Sequence, residues 1–268
     1  PKICQEYKRK FPDKIDLYLN VTNQGVKSNA KKLHFASAMS NSKYIALCDG
    51  DDFWTDATKL QAQVDYLEQN PQIYGCFHDV TVVDGNGQVI NENYHESTKA
   101  IYDQDDSVVH GGSYGTCSLV FRSSVFNDLP NWFINSTSDY TIDLLITEFG
   151  NIAHIGKTMA AYRIHSNGMW QGNKEHLNNI SLIQRYKMCL SYPKFKKKYG
   201  DYFRNKISEL SLSLTFYYQS ERNLVMRLKY SALYFYYTRP KNLRFFKILL
   251  GNVLLPRVYS AYKKLNDV

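Results

Sequence analysis

Three carboxylates gather around one glycine in Asp49-Gly50-Asp51-Asp52, between the apolar run Tyr44-Ile45-Ala46-Leu47-Cys48 and the aromatic pair Phe53-Trp54. Carboxylates this close repel one another unless a cation or a donor cluster neutralises them. A hard divalent cation, Mg2+ or Mn2+, is the natural partner, because both prefer oxygen ligands. A solvated acidic loop is the plain alternative, since most loop carboxylates are exposed. An EF-hand calcium loop does not fit. Counted from Asp49, its sixth position is Trp54 rather than Gly and its twelfth is Leu60 rather than Glu. A phosphatase-type nucleophile loop fits no better, because Thr55 is followed by no second signature.

The elements around the motif should place it. The run from Tyr44 is short and almost continuously apolar, which predicts a strand covered on both faces, as in an α/β sheet. Ligands collect at the carboxyl ends of such strands. After the motif, Thr55-Asp56 should cap a helix with the stripe Leu60, Val64 and Leu67, ended by Asn70-Pro71. Ile73 to Val83 reads as a strand, with His78 inside it as a core histidine, and Asp84-Gly85-Asn86-Gly87 as a hairpin turn. Before the motif, Pro1 to Phe11 reads as a helix and Ile15 to Leu19 as a strand. Gly25 marks a turn, and Ser28 to Ala38 reads as a helix whose Lys31 or Lys32 either meets a phosphate or is simply exposed.

Further on, residues 91 to 107 are polar and read as a mobile loop. A flexible stretch from Gly111 to Thr116 precedes a strand from Cys117 to Arg122. Asp139 should begin an amphipathic helix that stops at Gly150. Two strands follow, Ile152 to Ile155 and Met159 to His165.

Tyr44 to Asp56, followed by Lys59-Leu60-Gln61 and Gln63-Val64-Asp65-Tyr66-Leu67-Glu68, resembles the family 2 glycosyltransferases of GT-A fold, closest to the bacterial branch that builds surface polysaccharides. The resemblance covers about residues 1 to 170. It implies an α/β, Rossmann-like nucleotide-sugar domain over residues 1–172, lacking its amino-terminal segment, then a helical region over 173–268. It implies a donor, a UDP-sugar or other nucleotide-sugar, and a saccharide or lipid-linked acceptor. Asp49-Gly50-Asp51 matches the family's Asp-x-Asp motif. Asp51 would bind the metal, Mn2+ or Mg2+, while Asp49 and Asp52 bind the nucleotide-sugar. Thr116 and Ser118 match family segments that touch donor sugar or acceptor, although hydroxyls there also finish turns. Asp139 matches the general base, preceded by Ser138 where the family has Glu or Gly; a plain helix cap is the other reading. Asp143 lies one turn on. In Tyr162-Arg163-Ile164-His165 the resemblance makes His165 a second metal ligand or a diphosphate contact.

Composition and charge bound the rest. The 268 residues can bury a sizeable core, with 44% apolar residues. Five scattered cysteines, without a Cys-x-x-Cys pair, suit reduced thiols in the cytosol, with Cys48, Cys76 and Cys117 as small core residues. No apolar run reaches the ~18 to 20 residues of a spanning helix. The net charge of +8 is uneven: residues 181 to 268 hold 18 Lys or Arg against 4 Asp or Glu, and 12 of the 22 tyrosines. This tail reads as helices over 203–218, 221–237, 243–254 and 257–265. It suits either an anionic membrane surface on the cytoplasmic side or packing on the catalytic domain. Nucleic acid is the least favoured partner, because there is no RNP motif, zinc motif or helix-turn-helix signature. A non-catalytic carbohydrate- or membrane-binding protein is the alternative to an enzyme.

Overall fold

The structure, a computed structural model, describes residues 2–22, 32, 35, 37, 41–94, 99–112, 114–127, 129–134, 139–166, 168 and 174–238. Helix α1, Lys2–Lys10, forms as its spacing predicts, but its stripe of Ile3 and Tyr7 stays exposed. Residues 15–20 form no strand. Apolar alternation there finds no ladder partner among the described residues, and Tyr18 and Leu19 remain exposed. Most of the expected helix over 28–38, with Lys31, lies outside the described residues, as do the expected helices over 243–254 and 257–265.

One mixed sheet organises the rest. Its strands are β1 (Tyr44–Ala46), β2 (Phe53–Trp54), β3 (Ile73–Val83), β4 (Val89–Asn91), β5 (Ile101–Tyr102), β6 (Val120–Arg122) and β7 (Asn151–Arg163). The main order is β1-β6-β3-β7-β2, with β4 on β3 and β5 on β7. β3 and β7 are parallel, and both β1 and β3 run antiparallel to β6. Strands β1, β3 and β7 therefore point the same way, and their carboxyl ends meet on one side. β7 is a single strand of 13 residues, where two were expected. Register shifts at His78 and Asp79 of β3 absorb the polar residues between the two halves.

β1 is not covered on both faces. It is the last strand of the described order, Tyr44 and Ile45 are half-buried, and Ala46 is exposed. Cys48 is exposed as well, while Cys76 and Cys117 lie in the core. The expected loop over 91–107 is partly ordered: β5 and helix α3, Gln104–His110, occupy its second half. Asp103 and Asp106 close a capping box there. The expected strand from Cys117 starts late, because a 3-10 turn takes Thr116–Ser118 and leaves β6 three residues.

Helix α2, Lys59–Gln69, starts after Thr58, which takes the N-cap position in place of Thr55-Asp56 and makes no side-chain capping bond. The Asp56 carboxylate instead accepts the amide of Thr58 at 2.7 Å, an Asx turn just before the helix. Its buried residues are Lys59, Gln63 and Leu67, whereas Leu60 is exposed. The reason is hydrogen bonding. Gln63 Nε2 donates to the carbonyls of Cys76 at 3.0 Å and Ser118 at 2.8 Å, and Lys59 Nζ donates to Gln63 Oε1 at 2.8 Å. Lys59 lies 4.4 Å from the centre of the Trp54 ring. A polar column thus sits where a leucine stripe was expected, and it joins α2 to β3 and to the 3-10 turn.

Short helix α4, Asn131–Ile134, precedes α5, Asp139–Phe149. α5 is not amphipathic: every residue from Tyr140 to Ile146 is buried. Gly150 ends it as expected, because a Cβ there would meet Tyr74 Cδ2 at 2.4 Å and the Gln72 carbonyl at 2.6 Å. Three carboxyl-terminal helices follow: α6 (Glu175–Ser191), α7 (Pro193–Ser220) and α8 (Leu224–Thr238). Phe195 and Phe203 of α7 and Cys189 of α6 share one core with Trp132, Tyr140 and Phe77. Each fully buried phenylalanine contributes about 1.5–3 kcal/mol. Lys198 pairs with Asp105 of α3 at 2.6 Å.

Gln63→Leu tests the polar column. It leaves two buried carbonyls and the Lys59 ammonium without their partner, at about 1–3 kcal/mol for each group left unsatisfied. Urea unfolding should show a loss of at least about 2 kcal/mol, whereas Leu60→Gln at the exposed position should change little.

Candidate active site

The site forms where β1, β3 and β7 end. The chain leaving β1 turns through Asp49 to Asp52, and the Asp52 amide donates to the Asp49 carbonyl at 3.2 Å. It then runs into β2, whose Phe53 and Trp54 pair with Ala161 and Ala160 of β7. Trp54 Nε1 donates to the Cys117 carbonyl at 3.0 Å, which fixes the turn against the 3-10 segment.

Arg163, at the end of β7, holds this turn. Its amide donates to Asp52 Oδ1 at 2.9 Å, and its Nε donates to the Asp51 carbonyl at 3.0 Å. Its Nη1 reaches the carbonyls of Asp84 at 3.1 Å and Gly85 at 3.3 Å, in the β3–β4 hairpin turn. That turn is itself set by Asp84, which accepts the amides of Asn86 and Gln88, and by Gly87 at φ +86°. Sequence reasoning gave Arg163 no task; a lone arginine ending an apolar strand beside an acidic turn was the available signal.

Two residues on, His165 Nε2 stands 3.0 Å from Asp51 Oδ2. The structure thus brings together the two side chains assigned to a metal. A carboxylate oxygen and an imidazole nitrogen suit Mn2+, and Mg2+ less. Among the described residues no group of three or more His, Cys, Asp or Glu could hold a metal ion. Asp51 and His165 fit a divalent cation that takes its remaining ligands from a substrate or water.

Asp52 is half-buried, and its Oδ2 is buried without a regular hydrogen bond among the described residues. Burial raises its pKa, and the Arg163 amide opposes that shift. Asp49 is pushed up to about 6, first by desolvation and then by the carboxylates of Asp139, Asp52 and Asp51 in that order. Asp139, the first residue of helix α5, is exposed. Asp139 Oδ2 accepts the Thr116 hydroxyl at 2.9 Å. Ser118, by contrast, is fully buried and donates to the Gly115 carbonyl at 2.7 Å, so it finishes the turn.

Asp143 is a different kind of group. It is buried, and it accepts the Gly112 amide at 2.7 Å and the Tyr114 hydroxyl. The Tyr114 ring stacks on Phe77 with centroids 4.1 Å apart. Asp143 thus ties the loop that carries Thr116 to the helix that carries Asp139. Burial pushes its pKa up to about 7, against the pull of its two donors. The core histidine expected at 78 is fully buried, with Nδ1 2.8 Å from the Asp79 carbonyl, and burial lowers its pKa to about 4. Lys59 is likewise lowered to about 8 by burial.

With this geometry in place, comparison with known proteins shows what the chain is similar to. Sheet and helices form an α/β fold of GT-A type with a helical carboxyl region, and residues 1–128 match the family model for Glycosyl transferase family 2. The chain is 33% identical to an uncharacterized protein of Mycobacterium tuberculosis over 171 residues, 63% of this chain and 48% of that relative. It is 27% identical to an uncharacterized glycosyltransferase of Nostoc over 172 residues, 61% of this chain and 51% of that relative. The chain thus spans about half the length of these curated relatives. Over residues 1–128 the chain thus resembles the family 2 glycosyltransferases.

The Asp143 latch has a pH signature. A carboxyl whose folded pKa lies above its unfolded value of ~3.9 takes up a proton on folding. Its contribution to stability is full below pH ~4 and is lost as pH rises through about 7. Asp49, at about 6, acts in the same direction. Asp143→Asn cannot titrate, so the fall in Tm between pH 4 and 7 should be shallower than in the wild type. Equal slopes would show that Asp143 is ionised throughout.

Proposed function

We propose that this chain carries the catalytic part of a metal-dependent, inverting glycosyltransferase. A nucleotide-sugar, in our reading a UDP-sugar, is the donor, and a saccharide or lipid-linked acceptor of bacterial surface polysaccharide receives the sugar. The observation that supports this best is the geometry of the acidic turn and its neighbours: Asp51 facing His165, Asp52 held by Arg163, and Asp139 held by the Thr116 hydroxyl.

Each residue has a task in this reading. Asp51 and His165 would hold the cation, Mn2+ or Mg2+. When bound, the cation supplies Lewis-acid stabilisation of charge on the leaving diphosphate. Asp49 and Asp52 orient the nucleotide-sugar. Asp139 takes the proton from the acceptor hydroxyl as that oxygen attacks the anomeric carbon. The Thr116 hydroxyl occupies one side of the Asp139 carboxylate and fixes its direction. A single displacement from the face opposite the leaving group inverts the anomeric centre.

The carboxyl region belongs to the same proposal. No helix among the described residues is long and apolar enough to cross a membrane. Leu224, Val225 and Leu228 of α8 are exposed, and the region is strongly basic. We read it as a peripheral contact with the anionic inner face of a membrane, where a lipid-linked acceptor is presented.

Two measurements test these readings. Asp139→Asn should keep nucleotide binding and lower kcat by at least ~100-fold, whereas Asp51→Ala should lose Mn2+-dependent nucleotide binding in calorimetry. Nucleotide or sugar binding without turnover in the wild-type protein would favour the non-catalytic alternative. For the membrane, co-sedimentation should occur with anionic vesicles, not neutral ones, and fade as salt shortens the Debye length below ~10 Å. Binding that ignores lipid charge would leave the helices as packing elements only.

A further inference from the structure

Lys59 is 1% exposed, and the transfer step gives it no task. Among the described residues its ammonium has no carboxylate partner: it donates to Gln63 Oε1 at 2.8 Å and lies 4.4 Å from the centre of the Trp54 ring. A buried ammonium loses its hydration, and an aliphatic side chain would fill the same space without that cost. The groups that the cation touches explain its presence. Trp54 Nε1 donates to the Cys117 carbonyl at 3.0 Å, and Gln63 Nε2 donates to the Ser118 carbonyl at 2.8 Å. Lys59 therefore grips both side chains that hold the 3-10 segment Thr116–Ser118.

That segment joins the acidic turn to Asp139. Leu47, just before the turn, donates its amide to the Leu119 carbonyl at 3.2 Å, and Trp54, just after the turn, holds Cys117. The turn is thus pinned to the segment at both of its ends. From the same segment, the Thr116 hydroxyl donates to Asp139 Oδ2 at 2.9 Å. A displacement of the segment would re-aim Asp139 relative to Asp51, and a misplacement of about 1 Å can cost on the order of 100-fold in rate. Burial lowers the Lys59 pKa to about 8. The titratable groups that face it are the thiols of Cys48, Cys76 and Cys117 and the His78 imidazole. Burial raises all three thiols, that of Cys76 to about 12, and lowers His78 to about 4. Among these groups only Lys59 changes charge near pH 8.

We propose that Lys59 is a positioning residue for the transfer step: its ammonium clamps Trp54 and Gln63, and through them the 3-10 segment that aims Asp139. This rests on the glycosyl-transfer reading and adds to it a residue that touches neither donor nor acceptor. The clamp holds while Lys59 is charged and loosens as pH rises through about 8.

A pH titration of the whole chain tests it, read by fluorine NMR of incorporated fluorotryptophan and by the methyl signal of Thr116. Trp54→Phe and Thr116→Ser assign the two signals. In the wild type both should move together, with one midpoint near about 8. Lys59→Met keeps an unbranched side chain without the charge, so both signals should stay fixed near the wild type's high-pH positions. A Trp54 signal that does not titrate overturns the clamp. A Thr116 signal that stays fixed while that of Trp54 moves shows a contact that does not reach Asp139, and also overturns it. The wild-type titration decides this even where Lys59→Met does not fold. In the hydrolysis of UDP-glucose, UDP-galactose or UDP-N-acetylglucosamine with Mn2+, Lys59→Met should lower kcat by at least about tenfold and leave the donor KM unchanged. Equal kcat values overturn the positioning role alone. Coupled titration without Mn2+-dependent binding of UDP, GDP or dTDP keeps the clamp and overturns the transfer reading.

Discussion

Like charges held close together are the constraint on which this structure turns. Asp49, Asp51, Asp52 and Asp139 converge where three strands end, and desolvation together with the neighbouring carboxylates raises the pKa of Asp49. Arg163 makes the arrangement tolerable. It gives one amide to a carboxylate and spreads its guanidinium over backbone carbonyls of two turns. Its charge therefore lies beside the acidic turn without quenching it by a direct ion pair. Asp49 and Asp51 stay exposed at the turn, the condition for binding a cation or a polyhydroxylated ligand.

Behind that turn, polar groups do structural work that apolar ones usually do. Lys59 and Gln63 fill the space between α2 and the sheet, bonding to each other, to the carbonyls of Cys76 and Ser118 and to the Cys76 sulfur. Buried polar groups are tolerated when satisfied, and they specify one arrangement more sharply than leucines would. Asp143 plays the matching role on the other side of the opening. It fixes the loop from Gly112 to Thr116 relative to the start of α5.

Much of this was legible in the sequence where a local pattern carried it. The strand from Ile73, the hairpin turn at Asp84 and the helix that ends at Gly150 follow from alternation and turn residues. The acidic turn and the Tyr-Arg-x-His segment were legible as motifs, and the fold brings His165 to Asp51. What failed depended on distant partners. Ile15 to Leu19 has strand composition but no described neighbour to pair with. The stripe of α2 was misread by one position, because Lys59 and Gln63 look like surface residues until Cys76 and Ser118 supply their acceptors.

The shared core of α7 and α5 has a consequence for how the molecule behaves as a material object. Phe195 and Phe203 lie fully buried in the same cluster as Tyr140 and Phe77, so the carboxyl helices are not an appendage on a tether. The boundary at residue 172 that the resemblance implies is therefore crossed by one shared apolar cluster. Cutting there would lay bare one side of α5, the helix on which Asp139 sits. Cooperative melting then couples the two regions: the tail that differs most in charge and composition is also the wedge that keeps the acidic opening in shape.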